Sequence, residues 1–260
     1  MSEETLPSDV AAIPRITHEE AMQITAEENR RFLALLRQLG PDDWPQPTDC
    51  TRWTVRDVAV HVTAAAEAQA SFLEMLRQVR KGRRLTAEIG GKHWVDGVNE
   101  AQLRMRRAVT PASLPSRWEA ASEASLGARR RMPARVRALR LLPLGSVDGL
   151  DGGWQPLGYL FDIGFTRDVW MHRVDICRAT GRSMDPTRDH DGRIVEDIMA
   201  EWATSHTDPF HLELTGPAGG TFIRGAGSGV DPLEIDAIDA CRVLSGRGTA
   251  TGVLRHPLPL

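Results

Sequence analysis

Over residues 17–180 the apolar residues recur at three- and four-residue spacing, and clusters of turn-forming residues interrupt them. That pattern confines this part of the chain to helices packed on one another. The first helix is expected over 17–39. Thr17 and Glu20 are spaced as a capping box, Ile24, Phe32, Leu35, Leu36 and Leu39 supply its apolar stripe, and Gly40-Pro41 ends it. The second begins at Thr54, with Asp57 completing a capping box. Its stripe of Val58, Val62, Ala65, Phe72 and Leu76 predicts one helix running to Lys81-Gly82. Further helices are expected over 94–108 and 112–139, the latter open to interruption at Pro133. Residues 143–156, rich in Gly, Pro and Asp, read as a loop, and a last long helix spans 157–180 before Gly181.

The face of that last helix reads Leu157, Phe161, Gly164, Asp168, His172, Asp175 and Ile176, so polar groups replace apolar ones in mid-stripe. Asp168 and His172 lie four residues apart and share a face. His61 sits beside the stripe of the second helix, three residues after Val58. Buried carboxylates and imidazoles are unfavourable unless paired or bound to metal. Two histidines and a carboxylate from two helices make a three-ligand set for a divalent metal with an open fourth position, as a catalytic zinc needs. The plainer alternative is a hydrogen-bonded histidine at His61 and an exposed i,i+4 pair at Asp168 and His172, flanked by Arg167 and Arg173. Trp53, Trp94 and Trp170 are near enough in sequence to line a pocket there, and otherwise belong to the core. His18 falls in a first helical turn, His190, His206 and His256 in polar segments, and His93 and His211 lack a partner at ligand spacing.

The pattern changes after Arg182. A short helix is expected over 194–202, then alternating strands over 211–215 and 221–224 joined by Gly216-Pro217-Ala218-Gly219-Gly220 as a hairpin. A strand over 233–235 leads into a helix over 236–245. The expected organisation is a disordered lead-in over 1–15, an up-and-down helical bundle over 16–182 and a small α/β domain over 186–260. A net charge of -3 gives no electrostatic case for binding nucleic acid or an acidic membrane. The basic cluster Arg129-Arg130-Arg131 with Arg135 and Arg137 reads as a solvated helix face, with anion binding as the alternative. Cys50, Cys177 and Cys241 show no CxxC pattern, which fits a reducing, cytoplasmic location. Cys50 precedes a helix whose dipole would lower its pKa, but the sequence places no base beside it. The acidic N-terminus is not a signal peptide, and no run of about 18 apolar residues is present. Phosphate-loop, dinucleotide and serine-elbow motifs are absent from the sequence, and Gly225-Ala226-Gly227-Ser228-Gly229 reads as a turn.

Two stretches carry a resemblance. Pro47-Thr48-Asp49-Cys50-Thr51-Arg52-Trp53-Thr54-Val55-Arg56-Asp57-Val58, running on to His61, resembles the second-helix signature of the mycothiol-dependent maleylpyruvate isomerase-like family. Arg167-Asp168-Val169-Trp170-Met171-His172-Arg173-Val174-Asp175 resembles that family's other helical signature. The tail is similar to its small C-terminal domain at Asp236-Ala237 and at Cys241-Arg242-Val243-Leu244-Ser245-Gly246-Arg247. The resemblance implies a mainly α fold, a DinB-like four-helix bundle with a small C-terminal α/β domain. It implies zinc on His61, Asp168 and His172, with water or a thiol sulfur as fourth ligand. Some members carry Glu where this chain has Asp168, so the shorter side chain implies longer or water-mediated ligation. Arg247 is implied to reach a pocket between bundle and tail and to hold a substrate carboxylate; Trp53 and Trp170 are expected to line the cofactor site because they stand beside the proposed ligands in the sequence. The implied cosubstrate is mycothiol, the low-molecular-weight thiol of actinobacteria. The implied reaction is addition of its thiolate to a small electrophile, giving isomerisation if the thiol is expelled and S-transfer if it stays. A metal-dependent hydrolase or biosynthetic enzyme without mycothiol, and a non-catalytic ligand-binding protein, remain open, as do monomer and homodimer.

Overall fold

The computed structural model describes residues 8–91, 93–143, 146–147, 150–151, 154–225 and 230–258. They fall into two compact units. One comprises His18–Leu139 and Pro156–Ser183; the other is made of the described residues of Met1–Thr17, Arg140–Gln155 and Met184–Leu260.

The first unit holds α1 (His18–Gln38), α2 (Val55–Ala70), α3 (Phe72–Glu88), α4 (Trp94–Met105), α5 (Leu114–Arg130), α6 (Ala134–Arg137) and α7 (Phe165–Thr180). Both α1 and α2 pack on α5 and α7, which closes a four-helix ring. Its order, α1–α5–α2–α7, is not the chain order, so the connections from α1 to α2 and from α5 to α7 cross the bundle. Phe32, Leu36, Val58, Val62, Trp118, Trp170 and Met171 fill the interior, each at most 1% exposed. Thr54 caps α2 through its hydroxyl while Asp57 caps back to the Thr54 N–H, as the sequence predicts. A π-helical turn over Tyr159–Gly164 leads directly into α7. Gly181, at φ 66°, ends that helix in the left-handed conformation.

The second helix is shorter than its stripe predicts. It stops at Ala70 because Ser71 turns extended, with φ -139° and ψ 114°, and its hydroxyl caps α3. Phe72 and Leu76 thereby leave the α2 stripe and are exposed. Gly82 does not end a helix either. It lies within α3, where a Cβ would stand 2.6 Å from the Val98 backbone, and on α4 a Cβ at Gly97 would meet the Gly82 carbonyl. The two glycines let α3 and α4 cross at contact distance, and the pair rests against α2. Pro133 does interrupt the 112–139 segment, between α5 and α6.

The second unit contains β1 (Ser8–Asp9), two ribbons formed by β2 (Arg140–Pro143) with β5 (Trp154–Pro156, its last residue already counted in the first unit) and β3 (Ser146–Val147) with β4 (Leu150–Asp151), then α8 (Arg193–Trp202), β6 (Phe210–Thr215), β7 (Gly220–Arg224), β8 (Leu233–Asp236) and α9 (Ala237–Leu244). The stretch read as a loop over 143–156 is thus partly paired. The sheet order is β1-β7-β6-β8, with β6 and β7 an antiparallel hairpin and β8 parallel to β6. Phe210, Leu212 and Leu214 alternate onto the buried face of β6. The expected lead-in over 1–15 is corrected for residues 8–12. Ser8 and Asp9 pair with Phe222 and Ile223 at the sheet edge, and the following turn buries Val10. That edge offers unpaired backbone groups which a short strand satisfies; residues 1–7 lie outside the described residues. Among the described residues, no helix is long and apolar enough to cross a membrane.

Candidate metal centre

His61 comes from the middle of α2, and Asp168 and His172 from successive turns of α7. The packing of α2 on α7 brings them together. His61 Nε2 stands 3.6 Å from Asp168 Oδ2, and His172 Nε2 stands 3.5 Å from Asp168 Oδ1. One donor atom from each residue lies within 4.8 Å of the others. Both separations from Asp168 are too long for a good hydrogen bond. Each is close to the ligand–ligand edge of about 3.4 Å that a tetrahedron with bonds of about 2.1 Å requires, although the two histidines face different oxygens of the carboxylate. The imidazoles are buried, at 6% and 4% exposure, while the Asp168 side chain is 28% exposed.

The neighbours of each imidazole decide which nitrogen faces that point. Gln78 Nε2 donates to the Ala64 carbonyl at 2.9 Å, so its Oε1 is left to accept from Gln102 Nε2, also at 2.9 Å. Gln102 therefore presents Oε1 to His61 Nδ1, 2.7 Å away. An acceptor there requires Nδ1 to carry the proton, and Nε2 keeps its lone pair. On the other helix, Asp175 Oδ2 lies 2.9 Å from His172 Nδ1 and imposes the same tautomer. A backbone carbonyl and a buried carboxylate thus fix both histidines with Nε2 free to ligate, the arrangement that metal-binding histidines require of their outer partners. His61, Asp168 and His172 fit a divalent cation on donor chemistry and spacing alike.

A hairpin-like turn completes the wall. Thr48 N–H donates to the Trp53 carbonyl at 3.1 Å and Trp53 N–H to the Cys50 carbonyl at 2.7 Å. The Trp53 ring lies 4.8 Å from His61 and 6.0 Å from His172, between centroids. The Cys50 thiol donates to Asp175 Oδ2 at 3.4 Å and so joins the support of His172. Trp170, expected at the site, is fully buried. It stands two positions from both Asp168 and His172, about 200° around the helix, and leaves α7 on another side. Trp94 packs on His93 at 5.7 Å between centroids. Arg247, in the other unit, follows α9; its N–H donates to the Arg242 carbonyl at 2.8 Å and its own carbonyl accepts from Arg242 Nη2.

Sequence reasoning missed the supporting residues. Asp175 carried a signal, since it follows His172 by three positions on the same face. Gln78 and Gln102 carried none, because a glutamine on an amphipathic helix reads as a solvated one. Arg129, read within a solvated cluster, is 3% exposed, whereas Arg130 and Arg131 are exposed. It continues the inward face of Trp118, Ser122 and Ser125 on α5. The structure also gathers His206, Asp208 and His256, which the sequence did not suggest as a group.

The fold is thus a four-helix bundle that gathers two tautomer-locked imidazoles and a carboxylate into a candidate metal centre. The family model for the mycothiol maleylpyruvate isomerase N-terminal domain matches residues 25–177, more than half of the chain, and the chain belongs to that family. It is similar in fold to the crystal structure of the mycothiol-dependent maleylpyruvate isomerase, with TM-score 0.56 and 16% identity. A histidine-to-alanine mutant of that enzyme gives TM-score 0.58 at the same identity. Both alignments cover 93% of this chain and 92% of the other. No curated protein matches the chain.

Proposed function

We propose that the chain is a zinc-dependent enzyme that uses mycothiol on a small, electrophilic, carboxylate-bearing substrate, as an isomerase or S-transferase. The observation that carries this reading is the pair of Nε2 lone pairs, at His61 and His172, held toward Asp168 by Gln102 and Asp175. When bound, zinc supplies a positive charge that favours the thiolate form of a thiol near neutral pH. His61, Asp168 and His172 would hold the cation, and the thiol of the cosubstrate is the group that its charge would act on. Trp53 covers both imidazoles on one side and limits water there. The protein itself needs no nucleophile, and Cys50 is already committed as a donor to Asp175. Arg247 is proposed to bind a carboxylate of substrate or cosubstrate by a charge-assisted hydrogen bond. Membership of the family and the shared fold support mycothiol as the thiol.

The test is metal analysis together with thiol-dependent turnover of maleylpyruvate. His61→Ala is expected to lose both bound zinc and turnover, and a fully active His61→Ala protein would sink the reading. Zinc-dependent turnover that mycothiol leaves unchanged would favour a hydrolytic or biosynthetic reaction through bound water. Protein purified without chelators and holding less than about a tenth of an equivalent of metal would favour a binding protein.

A further inference from the structure

His172 has a second ligating edge. Its Nε2 stands toward Asp168, whereas its Nδ1 stands 2.9 Å from Asp175 Oδ2 and 4.0 Å from the Cys50 sulfur. Cys50 Sγ and Asp175 Oδ2 are 3.4 Å apart. A thiol, an imidazole nitrogen and a carboxylate oxygen therefore converge where the proposed zinc centre does not reach. A triangle with these three sides has its centre inside it, about 2.0 Å from each corner, so a cation slightly out of that plane stands about 2.1–2.3 Å from all three donors. Those are the lengths of zinc-type bonds to nitrogen, oxygen and sulfur, reached with no donor displaced.

Charge and softness set this group apart from the first. Asp168 is the one anion among His61, Asp168 and His172, so a dication there keeps a net positive charge until an anionic ligand joins it. Cys50 as a thiolate and Asp175 as a carboxylate neutralise a dication by themselves. That counts here because Asp175 and His172 are buried, and an uncompensated buried charge is unfavourable. Cys50 is half-buried, which leaves a side for entry, and its sulfur favours soft ions over hard ones. We propose that Cys50, Asp175 and Nδ1 of His172 form a second cation site, for a thiophilic divalent ion, whose occupation excludes zinc from the first group. A neutral imidazole carries one proton, on the nitrogen that does not ligate. A cation at Nδ1 shifts that proton to Nε2, while the Cys50 thiol releases its own to solvent. Nε2, now protonated, no longer ligates beside His61 and Asp168. The exclusion rests on the reading of the first group as a zinc centre; binding at Cys50 does not.

Cadmium chloride is the probe, titrated into metal-free protein while the ultraviolet absorption of the cadmium–thiolate bond is followed. Wild type is expected to develop that absorption and to saturate it at about one equivalent. Cys50→Ser and Cys50→Ala are each expected to lose it, which also separates Cys50 from the buried Cys177 and Cys241. Asp175→Asn should keep the absorption and weaken cadmium at least about tenfold. His61→Ala breaks the first group alone and should leave the absorption and its midpoint unchanged. Zinc added to cadmium-loaded wild type is expected to erase the absorption as it binds, with the two metals together staying at about one equivalent after desalting. Absorption that fails to appear in wild type, or that survives in either Cys50 variant, overturns the site. Absorption that persists while zinc binds in full overturns the exclusion, because one imidazole would then bridge both ions. Absorption in His61→Ala upholds the Cys50 site even where the first group holds no zinc.

Discussion

Each of the two units brings two histidines and an aspartate together, yet the groups are prepared differently. In the helical unit, His61 and His172 each surrender Nδ1 to an acceptor and turn Nε2 toward Asp168, which stands back at 3.5–3.6 Å. In the other unit, His206 and His256 stack face to face, 4.4 Å between centroids and 6° between planes. There His256 Nε2 already meets Asp208 Oδ2 at 3.0 Å, and neither ring nitrogen of His206 has a hydrogen-bond partner. Arg255 lies 3.8 Å from Asp208, and Arg224 donates to the carbonyls of Ala203 and His206. The donor composition is the same. What differs is whether outer partners fix the tautomer of both histidines, and that difference is the basis on which the first group is proposed as a metal centre and the second is read as a packed histidine pair.

The largest effect tests that distinction directly. Purified protein saturated with zinc and then desalted is expected to retain about one equivalent, bound in the range of structural and catalytic sites. His172→Ala should lose it, and the double variant His206→Ala, His256→Ala should keep it. Two retained equivalents, one of them removed by the double variant, would break the comparison. An intermediate effect is expected from the outer partners. Gln102→Leu removes the acceptor that holds His61, and Asp175→Asn replaces the carboxylate that holds His172. Each should weaken zinc by about 10–100-fold, measured by competition with a chelator. Asp208→Asn should leave zinc affinity unchanged, and equal losses at all three positions would mean that the outer partners do not act selectively.

The same contrast separates what could be read in the sequence from what could not. The helices of the bundle, the capping box at Thr54, the break at Pro133 and the β6–β7 hairpin follow from periodicity and local turn chemistry, which act over a few residues. The polar break in the α7 stripe likewise exposed Asp168 and His172 to view. The split of the second helix at Ser71 was hidden because apolar residues continue past it. They change face only when Gly82 and Gly97 let α3 fold back against α4. Gln102 and Arg129 were hidden for a different reason. Their roles come from contacts 41 residues away at His61, and 104 and 37 residues away at Thr25 and Thr166. No spacing rule within one helix encodes such pairings. Stripe logic could have placed Arg129 beneath Trp118, Ser122 and Ser125, but the adjacent Arg130 and Arg131 masked it.

The smallest expected effect is on stability rather than on metal. Burial holds the His206 imidazole below its ordinary pKa; His256 and Arg224 push the same way, and Asp208 opposes them. The folded protein therefore takes up a proton at His206 less readily than the unfolded chain does. Stability from this site is complete above the unfolded value of about 6.5 and is lost as pH falls through it. His206→Leu keeps an apolar side chain against Trp202, whose ring lies 4.5 Å from that of His206, and removes the titration. Metal-free protein is the right sample, because the pH dependence of metal binding would otherwise add to the curve. Between about pH 7.5 and 5.5, the melting temperature of wild type is expected to fall further than that of His206→Leu. Parallel curves would show that the stacked pair tolerates protonation. A curve flattened by added zinc in the His61→Ala background would instead show that the His206 group holds metal, erasing the difference between the two clusters.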